Sequence, residues 1–338
     1  MGNETPDEIE DVFAFDEPKR STPKQVDLFT GEAKPVSQTA NVSRLQHRLI
    51  NTASELVDPP DEAEYLHAVL CQVGMPRNPT PLRVFERKSG NAIMVLEAGK
   101  IMRRGEMIDQ PLPYGSRPRL VLVHLSTYAI RNRTAEIVVG NSMREFLQEL
   151  GIDTNGGPRG GYTMFKKQMQ ALAACRLTLG FSTATEDITI NTSPIRRFEA
   201  WLSVDGQQRT LWPGVMELSQ DFYETLIEHA VPLDPRALGA LKHSSLALDI
   251  YTWLAHRLCR IRSPQGVKLY WASLRQQFGQ EYNDPHNFKR KFLQALRQVL
   301  AVYRDARVEQ ITGGLLLKPS APPIAKTQII MQLPQGKQ

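Results

Sequence analysis

An α+β fold, two tandem winged-helix domains preceded by a disordered N-terminal tail, is what this sequence predicts. Three observations carry that expectation. Residues 111–210 read as three helical patterns followed by β-like runs, the order of a winged helix. The same order returns in residues 211–325. The first 40 residues are rich in Pro, Asp, Glu, Ser and Thr and have no apolar periodicity, so they cannot bury enough surface to fold alone.

The elements follow in chain order. Val42, Leu45, Leu49 and Ala53 keep helical spacing until Pro59 and Pro60 stop it. Asp61 and Glu62 open a second helical pattern through Leu66, Val69 and Leu70. Pro76, Pro79 and Pro81 mark a loop, and residues 83–108 read as two or three strands. Residues 41–110 are therefore expected to be helices and strands packed on the first module. SRPRLVLVHLSTYAI at 116–130 begins with Ser116 as cap and Pro118 in its first turn. SMREFLQEL at 142–150 has a capping box, Ser142 with Glu145 three residues on, and ends at Gly151. The Gly-rich turn GIDTNGGPRGG leads into a third helix, YTMFKKQMQALAAC. The runs 176–181, 188–191 and 198–204 follow as a small hairpin sheet. In the second module, SSLALDIYTWLAHRLCR at 244–260 reads as an amphipathic helix and 272–278 as a short helix ended by Gly279. Residues 287–303 form a long helix, with a hairpin at 307–318 and a C-terminal tail at 326–338.

Two helices divide into faces. In the last long helix Phe288, Phe292, Leu296, Val299 and Tyr303 recur at three- and four-residue spacing, with Arg290, Gln294 and Arg297 opposite and Lys289 beside them. In the third helix of the first module Phe165, Met169 and Leu172 form the apolar stripe, while Thr163, Lys166, Lys167 and Gln170 point elsewhere. A helix seated in the major groove needs this division: one face held by its domain, the other able to reach phosphates and base edges. A solvated surface helix has the same division, and it is the recurrence at matching places that favours DNA. Arg159 in the Gly-rich turn, and Arg196 and Arg197 in PIRR at 194–197, placed between the strands of the first hairpin, complete the expected DNA-binding set. The Gly-rich turn lacks the Gly-Lys-Ser/Thr ending of a phosphate-binding loop, so no nucleotide cofactor is expected.

Charge agrees with a polyanion partner. The first 34 residues hold nine acidic and four basic side chains, net −5; the remainder holds 27 and 37, net +10. Cys71, Cys175 and Cys259 lack metal-site or disulfide spacing. No apolar run reaches the roughly 20 residues of a membrane span, and no secretion signal opens the chain, so a cytoplasmic protein is expected. Paired carboxylates, a nucleophile motif and the His-x-His pair of a nicking enzyme are all missing, so an enzyme is not expected. His124 and His256 read as satisfied structural histidines, and the four tryptophans as core residues.

Five stretches together carry a resemblance: YLHAVLCQVGMPRNP at 65–79, SRPRLVLVHLST at 116–127, VPLDPRALGALKHSSLALDIYTWLAHRL at 231–258, QQFGQEY at 276–282 and FKRKFLQALRQV at 288–299. Their order resembles the plasmid-encoded RepA-type replication initiators over roughly residues 60–325. The resemblance implies binding of repeated sequences (iterons) at a plasmid origin, opening of the duplex there, and recruitment of host replication proteins such as a helicase or initiator. It also implies monomers on direct repeats and dimers that repress their own gene. A transcriptional repressor or partition adaptor on the same fold remains the alternative.

QVDLF at 25–29 sits in the polar tail with two bulky apolar side chains and nothing to bury them. It is similar to the peptide, Gln-x-Asp/Ser-Leu-Phe, by which bacterial replication proteins dock on the β sliding clamp. Leu28 and Phe29 would fill an apolar pocket, with Gln25 adding hydrogen bonds beside Asp27.

Overall fold

The computed structural model describes residues 44–58, 60–103, 105–139, 142–152, 160–182, 186–197 and 215–325. An N-terminal layer comes first: α1 (Arg44–Glu55), β1 (Glu64–His67), α2 (Ala68–Gln72), β2 (Val84–Ser89), β3 (Ala92–Glu97), β4 (Lys100–Arg103) and β5 (Glu106–Asp109). The first half follows with α3 (Ser116–Asn132), β6 (Glu136–Val138), α4 (Met143–Glu149), α5 (Gly161–Ala174), β7 (Arg176–Ser182), β8 (Asp187–Thr192), β9 (Ile195–Arg197) and β10 (Val215–Leu218). A bridge of α6 (Gln220–His229), β11 (Ala230–Leu233) and α7 (Pro235–Leu241) leads to the second half. That half holds α8 (Ser245–Arg257), β12 (Val267–Tyr270), α9 (Trp271–Phe278), α10 (Pro285–Val302), β13 (Val308–Ile311) and β14 (Gly314–Leu317).

Local chemistry sets where the helices begin. Asp284 caps α10 by accepting from the backbone N–H groups of His286 and Asn287 at 3.1 and 2.8 Å, with Pro285 already in helical φ. Those two hydrogen bonds hold its carboxyl below the usual carboxylate range. Ser142 accepts from Glu145 N–H at 3.2 Å, as the capping-box spacing predicts. Ser116 does not cap its helix: Gly115 occupies the cap position at φ 82° and contributes no side-chain bond. A left-handed turn there suits a residue without Cβ.

Both halves build a three-stranded antiparallel sheet in one order. In the first, β6 pairs with β10 and β10 with β9; in the second, β12 pairs with β14 and β14 with β13. The strand preceding each helix pair thus lies beside the last strand of its half. The β7–β8 hairpin, expected in the first of these sheets, lies elsewhere. β7 pairs with β3, giving the order β2-β3-β7-β8. The reason is burial: Met94 and Leu96 of β3 face Leu179 and Leu177 of β7 across the ladder, all four buried. PIRR is consequently not a turn between the strands of that hairpin, since Ile195–Arg197 is itself the strand β9 on β10. The expected strand at 198–204 lies outside the described residues.

Other expectations change as well. The second helical pattern is half strand, because Glu64–His67 pairs with Ala230–Leu233 and only Ala68–Gln72 is helical. The region 83–108 makes four strands, two hairpins. The N-terminal layer divides between the halves: β3 pairs with the first, whereas α1 packs on α7 and α10. α8 is not amphipathic in place. Ten consecutive residues, 246–255, are buried because α2, α3, α7, α10 and β11 surround it. Among the described residues the Nε2 of His124 has no hydrogen-bond partner and lies 3.8 Å from Glu149, so this histidine is packed there without being satisfied. Trp253 and Trp271 are buried as expected. One continuous core runs through both halves.

Candidate nucleic-acid interface

α10 is held exactly along the stripe that its sequence marks: Phe288, Phe292, Leu296, Val299 and Tyr303 are all buried. Phe292 meets Trp271 of α9 edge-on at 5.9 Å, and Phe288 meets Tyr282 at 5.7 Å. With that face fixed, Arg290, Gln294 and Arg297 are exposed on the other. Arg290 is steadied by Asn287, whose Oδ1 accepts from it at 3.0 Å. Lys289 departs from the expected outward role, because its ammonium lies 5.4 Å from the centre of the Trp271 ring.

α10 is a ridge between two clefts. One is lined by Asp284, His286, Asn287, Lys289, Arg290, Leu293, Gln294, Arg297 and, from β13, Gln310. The other is lined by Lys291, Gln294, Ala295 and Gln298 of α10, by Tyr282, and by Arg77, Asn78 and residues 243–246 across the gap. Gln294 borders both. Among the described residues, no carboxylate lines the second cleft, and the first has only the capping Asp284. Sequence reasoning missed Lys291, Gln298, Gln310, Asn78 and His243. Lys291 and Gln298 were open to it, since both lie on the long helix and Lys291 is the third basic residue of the run KRK, but Gln310, Asn78 and His243 approach α10 from other parts of the chain.

In α5, Phe165, Met169 and Leu172 are buried, and Gln168 is buried too, its amide oxygen accepting from the Tyr114 N–H at 2.7 Å. Lys167 is exposed, while Thr163, Lys166 and Gln170 are half-buried. Counted from Thr163, Lys166, Lys167 and Gln170 stand at i+3, i+4 and i+7, so the four share one side of the helix. Neither cleft beside α10 is lined by a residue of α5. Arg159 lies outside the described residues, as do the side chains of Arg196 and Arg197, although their backbone belongs to β9. Gln25, Asp27, Leu28 and Phe29 lie outside them as well.

Among the described residues no cluster of His, Cys, Asp and Glu could hold a metal, and no helix is long and apolar enough to cross a membrane. The buried thiols of Cys71 and Cys175 are pushed up, Cys175 to about 12, by burial. They are thiols, not thiolates, at neutral pH.

Comparison with known proteins adds three findings. No curated protein matches significantly. A crystal structure of domains 2 and 3 of RctB is similar at 10% identity, over 74% of this chain and 96% of that one, with a TM-score of 0.44. A likeness that distant decides nothing further. The family described as plasmid encoded RepA protein matches residues 112–273. That region opens just before α3, contains α5, and closes three residues into α9, short of α10. Over that stretch, just under half of its length, the chain is similar to the plasmid encoded RepA proteins.

Proposed function

We propose that this chain is a plasmid replication initiator that binds repeated sequences at an origin through α5 and α10, without catalytic chemistry of its own. The observation that carries the reading is the ridge of Arg290, Gln294 and Arg297 flanked by two clefts lined with cations. A major groove about 12 Å wide admits one helix and leaves a phosphate strand on either side. The ridge would reach base edges, where each good bidentate contact is worth about 1–3 kcal/mol. The clefts would take the backbones, which position the protein. The matching sheet orders support a winged helix in each half. The family match supports the plasmid setting.

Around that centre stand finer proposals. The protein opens the duplex and recruits a host helicase or initiator. QVDLF docks on the sliding clamp, and dimers repress the protein's own gene. Clamp affinity that is equal for the natural chain and a Leu28→Ala/Phe29→Ala variant would remove the docking reading. The test of initiation is transformation: a plasmid carrying only the DNA that flanks the gene should replicate when the gene is supplied in trans. Failure there, with specific binding retained, would support a repressor or partition adaptor.

A further inference from the structure

The two helices assigned to DNA are not among the elements that pack closely on one another, yet a continuous chain of ordered contacts joins them. α5 ends at Cys175 and its backbone runs directly into β7. β7 pairs with β3, and β3 with β2, in a register that lines up Leu179, Met94 and Arg87 across three strands. Arg87 is the odd member of that row. Its side chain is 0% exposed, with its guanidinium 4.8 Å from the Phe85 ring. Burial first, and the nearby Arg77 charge second, lower it to about 10, so it stays charged at neutral pH. A charged group held this deep needs a partner.

The partner is on the other half. Nη2 of Arg87 lies 3.6 Å from Glu281, and its Nε donates to the Gln280 side chain at 3.5 Å. Gln280 and Glu281 form the turn between α9 and α10, three residues before the Asp284 cap. The same carboxylate accepts from the Arg77 backbone N–H at 2.8 Å and from Asn78 Nδ2 at 3.0 Å. The Arg77 guanidinium donates to the Phe278 carbonyl at the end of α9. Gln277 donates to the Gln72 carbonyl at 2.8 Å. The turn that aims α10 is therefore gripped from residues 72–87, and those residues are tied through the sheet to the end of α5.

We infer that Arg87, Arg77 and Glu281 are positioning residues that hold α5 and α10 at one fixed separation, so that the chain reads a two-part site of set spacing. This rests on the assignment of both helices to DNA. Packing alone would have been served by an apolar residue at position 87, where the fold instead places a buried ion aimed at a turn. Replacing both members of such a pair by uncharged side chains of similar size is often neutral for stability, whereas removing one member alone is costly, so the double replacement separates the structural role from the positioning one.

The experiment uses the full chain and a duplex that it enriches from a random-sequence pool, together with one half-site alone and a version with half a helical turn, about 5 bp, inserted between the halves. For the natural chain the insertion should weaken binding by about ten-fold or more, since a rigid pair cannot reach both halves at once. The double variant Arg87→Met/Glu281→Gln, which removes both charges of the pair, should keep the natural half-site affinity and melting temperature. It should bind the original duplex about ten-fold more weakly and the inserted one within about three-fold of it. A purely structural role would lower half-site and full-site binding together, and that result would overturn the inference. So would variants with the natural spacing penalty, or a natural chain that tolerates the insertion. A pool that enriches nothing would overturn the DNA assignment first, and the inference with it.

Discussion

Removing the carboxylate of Asp249 should destabilise both halves at once. Asp249 sits on the buried α8, its side chain 6% exposed, and receives Arg119 of α3 in a two-pronged pair at 2.6 and 2.9 Å. Arg77 lies 3.7 Å away on the same carboxylate. Arg119 is also bound to the Pro76 carbonyl at 3.1 Å and the Gly115 carbonyl at 2.6 Å, so it cannot swing out to water when its partner goes. With Asp249→Ala, Arg119 would be left buried with carbonyl partners alone, and Arg77 and Arg87 would share the carboxylate of Glu281. Breaking a buried pair from one side costs about 3–5 kcal/mol. At roughly 2–4 °C per kcal/mol for a body of this size, the melting temperature should fall by on the order of 10 °C. Asp249→Asn keeps the shape and one acceptor, so it should fall between. Differential scanning calorimetry of the three proteins reads this directly. If Asp249→Ala melted within about 2 °C of the natural chain, the pair would not join the halves and the reasoning would fail.

Three further outcomes follow from the same structure. Gly74→Ala should act in the same direction, because a Cβ there would stand 2.5 Å from the Asp249 carboxylate and force it off Arg119; unchanged melting would contradict the packing. Acid should destabilise the fold already above the ordinary carboxylate range. Burial lowers His67 to about 3 and both His124 and His256 to about 4, so unfolded chains take up these protons below about pH 6.5 while the native state does not. Glu64, raised to about 7 chiefly by burial, works the other way and offsets about one of the three. The net is a loss of roughly 2.5 kcal/mol per pH unit between about pH 6 and 5, measurable by urea melts; stability level across that window would refute it. Finally, Arg290→Ala and Arg297→Ala should each reduce the slope of log affinity against log salt by about 0.9 for a lost phosphate contact, or relax sequence preference where the contact is to a base.

The two candidate reading helices were largely legible from the chain because amphipathic spacing reports a buried stripe directly. Phe288 to Tyr303 and Phe165 to Leu172 are buried as their spacing requires. Partnership was not legible. The alternation in 176–182 marks a strand but says nothing about whether β3 or β9 lies beside it. The run EYLHAVLCQ fits strand or helix equally, and pairing with β11 decides its first four residues. α8 carries enough apolar surface all round to be enclosed, which periodicity alone does not separate from a half-buried helix. Charge misled in one respect. Arg77, Arg87 and Arg119 count toward the basic body yet lie in the interior, because a net charge does not distinguish a guanidinium facing solvent from one paired across a core.

The most direct test is footprinting of the full chain on the DNA flanking its gene, across a salt series with competitor DNA, beside the Arg290→Ala/Arg297→Ala variant. Regularly spaced protection, one or two helical turns (about 10–20 bp) per repeat, lost in the variant, is the predicted result. Protection of a single inverted repeat, or none above the nonspecific background, would contradict recognition of repeated origin sequences by these helices.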